Sequence, residues 1–443
     1  MTVRLTFEKP WCYTSFISPT QYTRRYLVSL VALLMLVATV NVADKELLAP
    51  VADTVRAEFG MSDTQLGAVR SAVFLAAMLG QFLWGPLSDR WVRKYVIAIG
   101  AVLWSTITWL TAFVGSFPQL LVARAGMSFA EGAFNPSAWA LVTDTFPKRR
   151  HGLVLGLMSL TYPVGTAAAL IVVSLIGAEN WRQPFIIYGV IGIALGLLVL
   201  VIVKEPARGG AEESVEASGG LYTGRFSMAE FRRVLVVRSV LLVFALDACQ
   251  ASVNWSVAFW APTYLTRYGI APDAETAALA LLPAILGFVV GAVLGGWLID
   301  RLRRRTDRAP VWIALVAMAG GLVMTLVVFN LFQLWALMAA AFLLGLVSYM
   351  VVPAVNVTLF SVVPPETKAT SIATSNIVLN LVIAILSLGI GLGSDATELR
   401  WSFGGAVLLM FSLGVVVCLA LLRTVRRDMA RQQALVRSHI SQG

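Results

Sequence analysis

Histidine and cysteine are scarce in this chain, and charge is thin. Its 443 residues include 2 His and 3 Cys, and only 13% are Asp, Glu, Lys or Arg. His151 falls in a loop and His439 in the tail, which removes H-E-x-x-H zinc proteolysis and a Ser-His dyad within a membrane. Cys12, Cys249 and Cys418 are too few and too scattered for a disulfide framework or a thiolate metal site. None of the six Lys follows a Gly, so there is no P-loop and no direct coupling to ATP. The segment from Met1 to Tyr22 lacks a short apolar core with a small-residue cleavage site, so no cleaved signal peptide is expected. No metal and no cofactor are expected, and the chain is not read as an enzyme, because no nucleophile, base or metal cluster converges.

The chain is rich instead in apolar length. Hydrophobic residues make up 58% of it and the mean hydropathy is +0.80, well outside the composition of soluble globular domains. Apolar stretches of about 20 residues recur, each able to cross a hydrocarbon core of roughly 30 Å. The pattern predicts an all-α polytopic membrane protein with twelve spans, at about 26–50, 62–86, 93–114, 118–142, 152–177, 184–203, 239–266, 275–299, 310–330, 333–360, 369–393 and 401–422.

The net charge of +10 would suggest nucleic acid in a soluble domain, but here the basic residues concentrate in alternate loops. Arg90, Arg93 and Lys94, then Lys148, Arg149 and Arg150, the 204–238 connector, Arg301, Arg303, Arg304, Arg305 and Arg308, Lys368 and the Arg-rich tail all follow even-numbered spans. The intervening loops hold only Arg56, Arg182, Arg267 and Arg400, mixed with acids. The positive-inside rule then puts both termini in the cytoplasm, with the plasma or inner membrane as the expected location. The lipid bilayer is an expected partner and nucleic acid is not. No feature argues for an oligomer, so a monomer is expected.

Two strings, Gly85-Pro-Leu-Ser-Asp-Arg90 and Gly296-Trp-Leu-Ile-Asp-Arg301, share the pattern G-x-L-x-D-R and lie nearly half the chain apart. Each closes the second span of its half, which points to a duplicated six-helix unit and to transport. The expected organisation is a cytoplasmic segment 1–25, a first bundle 26–203, a linker 204–238, a second bundle 239–422 and a basic tail 423–443. Within the linker, Gly209–Gly220 reads as a flexible acidic stretch. Ser227 and Glu230 read there as a capping box opening a short basic surface helix. In the first string, glycine is expected to let two helices turn tightly, and Asp89 to face positive helix ends or nearby arginines.

Charges within spans are expensive, about 2.5–3.5 kcal/mol each near the bilayer centre, so they line the bundle interior and are functional by default. Span one carries Asp44, Lys45 and Glu46, span two Arg70, span four Arg124 and Glu131, and span seven Asp247. Counting about 1.5 Å per residue puts Asp44 in the outer quarter of span one and Arg70 and Arg124 roughly 9–12 Å below the outer surface. Those three are expected to share a level and neutralise one another. Glu131, on the face of Arg124 and about 10 Å deeper, has no evident cation, which suits it to carrying a proton. Asn135 and Pro136 beside it suggest a broken, water-accessible helix. The competing reading is that these charges only lock helices together. Asp247, Gln250 and Asn254 share one face of span seven, and Asn376 and Asn380 one face of span eleven. They either glue helices or line a central cavity. Pro163, Gly165, Gly287, Gly291 and Gly295 are expected where helices pack closely.

The loop Gly85–Lys94 resembles that of the major facilitator superfamily, G-x-L-x-D-R-x-x-R-K, with Val92 where that family usually has glycine. The resemblance implies two pseudo-symmetric six-helix bundles that rock to give alternating access. It also implies a gate brace at Gly85, Asp89, Arg90, Arg93 and Asp144, repeated in the second half at Asp300 and Arg301. Asn41-x-x-Asp44-Lys45, Trp104-Ser105-x-x-Thr108, Arg124-x6-Glu131-x4-Pro136, Phe259-Trp-Ala-Pro262, Pro364-Pro365 and Gly393-Ser-Asp395 are similar to the Spinster branch. That resemblance implies proton-sensitive carriage of lysophospholipids or sphingosine-phosphate-like lipids. Asp44 and Glu131 would then couple protons, and Lys45, Arg124, Arg70, Asn135, Asp247, Asn254, Asn376 and Asn380 would contact substrate. Two positions depart from the branch: Lys45 replaces its usual Arg, and Ala130-Glu131-Gly132 its Gly-Glu-Ala. Lysine is a point charge rather than a fork. The anion:cation symporter branch shares the Arg-x6-Glu spacing, and its likeness implies small organic carboxylates as substrate instead.

Overall fold

The computed structural model describes residues 22–146, 154, 157–176, 180–206, 235–363 and 367–441. The expected linker features, the N-terminal segment to residue 21, Lys148 to His151, Pro364-Pro365 and the side chains of Asp89, Arg90, Arg437 and His439 lie outside the described residues. The described chain is all helix in its regular structure. In the first half these are α1 (Arg24–Glu46), α2 (Leu48–Glu58), α3 (Asp63–Arg90), α4 (Arg93–Thr111), α5 (Phe117–Glu131), α6 (Phe134–Thr145), α7 (Thr161–Ile176) and α8 (Arg182–Ile202). In the second half they are α9 (Arg238–Arg267), α10 (Ala274–Leu279), α11 (Leu282–Arg303), α12 (Ala309–Val328), α13 (Leu334–Tyr349), α14 (Val351–Val362), α15 (Lys368–Ala396) and α16 (Leu399–Ser441).

Eleven stretches of the described chain are helical, long and apolar enough to cross a membrane. The twelfth crossing is α5 with α6, each too short alone and interrupted at Gly132-Ala133. Pro136 explains the break: it has no amide to return to the Gly132 carbonyl, and its ring crowds that carbonyl. The chain tightens there, with Ala133 N donating to Ala130 O at 3.1 Å. The same device recurs. The α1–α2 joint at Leu47 precedes Pro50 by three residues, and the α13–α14 joint at Met350 precedes Pro353 by three.

Close helix contacts fall at small residues. A Cβ on Gly132 would lie 2.7 Å from the Gly80 carbonyl carbon, and one on Gly295 would lie 2.9 Å from Met350 Cα, so each half seats a broken helix against a glycine. Gly85 and Gly296 do not act this way. A Cβ at either would meet nothing within 4 Å. The expected tight turn at Gly85 is therefore corrected: α3 runs through Gly85 and Pro86 to Arg90, and the chain turns at Trp91-Val92.

The two halves meet along α3 and α15, and the contacts are uneven along the axis. Ser71 Oγ donates to Ala384 O at 2.6 Å, and Asp63 and Thr64 meet Asp395. These contacts lie from mid-bundle to the end opposite the G-x-L-x-D-R loops, called here the far end. The apolar core follows the same rule. One core joins residues of both halves at the far end, including Leu48, Val55, Trp260 and Leu265, and continues within the second half alone to Ile299 and Val425 at the loop end. The core at the loop end of the first half, around Leu34, Ile97, Phe134 and Val199, belongs to that half alone.

Candidate functional site

The buried charges collect where two broken helices face each other. Asp44, Lys45 and Glu46 end α1 at its joint, and Glu131 ends α5 at its own. Lys45 Nζ lies 3.0 Å from Glu131 Oε2, with side chains 17% and 1% exposed. The expectation that Glu131 lacks a cation is thus corrected: the lysine stem spans the difference in depth, as long basic side chains do.

The arginines also differ from expectation. Arg70 and Arg124 share a level, but neither pairs directly with the Asp44 carboxylate. Arg124 Nη2 donates to the carbonyls of Asp44 at 2.8 Å and Lys45 at 3.1 Å, and its guanidinium lies 5.7 Å from the Phe185 ring. Arg70 Nη2 donates to Glu46 Oε1 at 3.0 Å and Nη1 to the Lys45 carbonyl at 3.3 Å. The end of α1 at Glu46 explains this choice, since the carbonyls of a helix's last turn, here Asp44 and Lys45, need donors from outside the helix. Glu46 was missed as the partner of Arg70, although it stands beside Asp44 and Lys45 in the same triad.

Asp44 is fully buried and accepts from Thr108 Oγ1 at 3.0 Å, leaving Oδ1 without a hydrogen-bond partner among the described residues. It lies within Coulombic range of Glu131, Arg124 and Lys45. Around the Arg70–Glu46 pair stand aromatics of both halves. The Arg70 guanidinium is 5.1 Å from the Phe74 ring, 5.3 Å from Trp255 and 4.8 Å from Phe259. Tyr162 extends this wall, meeting Trp255 at 5.1 Å and Tyr349 at 6.3 Å.

The remaining residues are less convergent. Asp247 accepts from Ser375 Oγ at 2.6 Å, and Asn254 Oδ1 from Ser348 Oγ at 2.7 Å. These bonds tie α9 to α15 and α13 and favour the glue reading for both. Asn380 is buried, Asn376 half-buried and Asn135 exposed, four residues past Glu131. At the gate, Arg93 is buried and pairs with Asp144. Glu205, missed from sequence, caps α4 by accepting from the amides of Arg93 at 3.0 Å and Lys94 at 3.1 Å. The second-half brace does not form: Asp300 is exposed and makes no ion pair among the described residues, while Arg301 lies 5.6 Å from the Trp297 ring. No cluster of three or more His, Cys, Asp or Glu able to hold a metal occurs among the described residues.

Two helix-broken bundles with a charged interior define the class. The chain belongs to the Major Facilitator Superfamily, whose profile matches residues 34–387. It is a multi-pass membrane protein, and its relatives are transporters rather than enzymes. It is 28% identical over 286 residues to the Probable L-galactonate transporter of Escherichia coli K12, covering 63% of each chain. It is 26% identical to Protein spinster of Drosophila melanogaster over 284 residues, 61% of this chain and 46% of that one. The chain thus spans less than two thirds of the length of either relative. Its fold matches the crystal structure of a bacterial homologue of the human lysosomal transporter Spinster, in an inward-facing and unoccupied conformation. The TM-score is 0.80 and the identity 20%, over 92% of this chain and 99% of that one.

Proposed function

We propose that this protein is a secondary active transporter that couples or tunes the movement of an anionic amphipathic substrate to protons. The halves 26–203 and 239–422 rock about the central charges, with the G-x-L-x-D-R loops and both termini in the cytoplasm of a plasma or inner membrane. The observation that carries the reading is the Lys45–Glu131 ion pair. An ammonium held by one carboxylate near mid-membrane is a site for exchange. When Glu131 takes a proton, Lys45 loses its counter-ion and becomes available to a substrate anion; when the anion leaves, Glu131 gives up the proton and recaptures Lys45. Asp44, sharing the field of Lys45 and Arg124, is the second titrating acid. Lys45, Arg70 and Arg124 face Asp44, Glu46 and Glu131, three cations against three acids, so a proton on Glu131 or Asp44 leaves the compartment positive and ready for an anion.

The aromatic wall of Phe74, Tyr162, Trp255 and Phe259 beside these charges favours a substrate with an apolar part, such as a lysophospholipid or a sphingosine-phosphate-like lipid. The second reading, a symporter of small organic anions, is favoured by Lys45 itself, because a point charge suits a compact carboxylate better than bidentate phosphate recognition. The L-galactonate relative accords with it. Uptake by proteoliposomes under an imposed pH gradient, with lysophospholipids and small carboxylates side by side, tests both. Accumulation of neither class would overturn the proposal, and accumulation of carboxylates alone would select the second reading.

A further inference from the structure

Four side chains at the far end join the two halves and take no part in the central site: Asp53, Asp63, Arg267 and Asp395. Arg267, the last residue of α9, donates Nε at 2.9 Å and Nη2 at 2.6 Å to Asp53 Oδ1 on α2. The same guanidinium reaches both oxygens of Asp63, the first residue of α3, at 2.6 and 2.7 Å. Asp395, at the end of α15, accepts from the amides of Asp63 at 2.9 Å and Thr64 at 2.8 Å. Opening amides of a helix have no partner within it and favour negative charge. Here the carboxylate that takes two of them comes from the other half of the molecule. Ser394 Oγ adds a bond of 2.5 Å to Asp63, and Arg56 stands 3.3 Å from Asp53 and 3.7 Å from Asp63.

We propose that Arg267 and Asp395 form a latch that holds the far end shut and must release for the halves to part there. Three features require it. First, the Arg267 and Asp395 bonds cross between the halves, whereas the Arg93–Asp144 pair and the Glu205 cap lie within one half. Second, no single helix can keep these bonds through a rocking motion, because Arg267 holds α2 and α3 from α9 while Asp395 holds α3 from α15. Third, the Asp63 side chain is only 7% exposed, so parting the halves strands a carboxylate and two helix amides until water reaches them. The latch therefore sets how often the empty carrier opens at this end, independently of what it carries.

Spin labels at Ala57 and Glu398, exposed positions one on each half, would report the separation by pulsed electron resonance. The measurement uses full-length protein lacking its native cysteines, in lipid nanodiscs without substrate. Asp395→Ala is expected to raise the population with a long label distance about fivefold, the effect of losing one helix N-cap. Arg267→Gln is expected to raise it further. Arg182→Gln removes an exposed ion pair with Glu58 at the same end but within the first half, and it should leave the distribution unchanged. Unchanged distributions in Asp395→Ala and Arg267→Gln, or an equal shift in Arg182→Gln, would overturn the latch. If Arg267→Gln does not fold, Asp395→Ala decides alone, because that side chain is exposed. No substrate is needed, so failure here leaves the transport proposal standing.

Discussion

Replacing Lys45 by methionine keeps a long apolar stem and removes only the ammonium. Glu131, with a side chain 1% exposed, then loses its ion-pair partner in a place water barely reaches. Removing one member of a buried pair costs about 3–5 kcal/mol. Because Lys45 is 17% exposed, water shares its charge and the lower figure applies, about 3 kcal/mol. Glu131→Gln strands the partly hydrated lysine instead and should cost less, about 1–2 kcal/mol. The double variant Lys45→Met/Glu131→Gln leaves no charge unmatched. It should recover about 2 kcal/mol of the summed single losses, a coupling within the range for groups in direct contact. Unfolding of the purified proteins in one detergent, followed by tryptophan fluorescence, measures the cycle. If the single effects add to within about 0.5 kcal/mol, the two side chains do not act as a pair and the exchange mechanism falls with them.

Three other perturbations probe the scaffold. Pro136→Ala returns an amide to the Gly132 carbonyl, so α5 and α6 should fuse; thermal stability should rise by about 1 kcal/mol while pH-driven uptake falls, and unchanged uptake would show that the break is not needed. Gly132→Val drives a side chain into the α3 backbone at Gly80 and Gln81 and should cost about 1–3 kcal/mol, read as a lower melting temperature. Glu205→Ala uncaps α4 and should lose about 1 kcal/mol, seen as faster amide exchange at Arg93 and Lys94 than in the parent.

Apolar length and alternating loop charge were enough to place all twelve crossings, because a bilayer forces each span to satisfy its own backbone. The charge partners were less legible. Counting residues gives depth along a span but not direction around it: Arg124 does stand in the field of Asp44, but Arg70 at the same level pairs with Glu46 instead. A lysine stem reaching between levels hid the Lys45–Glu131 pair in the same way. Pro136 beside Glu131 marked one broken helix, and the same signal stands at Pro50 and Pro353: each lies three residues past a helix joint, and the joints before Pro50 and Pro136 carry the central charges. The far-end network was invisible for a different reason. Asp63, Arg267 and Asp395 stand in segments that a sequence presents as solvated loops, and only the meeting of α3 with α15 and α9 makes them neighbours. Asp247 and Asn254 shared a face as expected, yet that face is spent on bonds to Ser375 and Ser348.

The exchange of Lys45 between Glu131 and a substrate anion is best tested by counting protons as substrate binds. Purified protein in weakly buffered detergent with a pH indicator would receive a lysophospholipid or a small carboxylate, whichever the uptake panel selects. The account predicts that binding draws a proton onto the protein, alkalinising the solution, and that Glu131→Gln abolishes the signal while still binding. Binding without proton uptake, or the same uptake in Glu131→Gln, would contradict it.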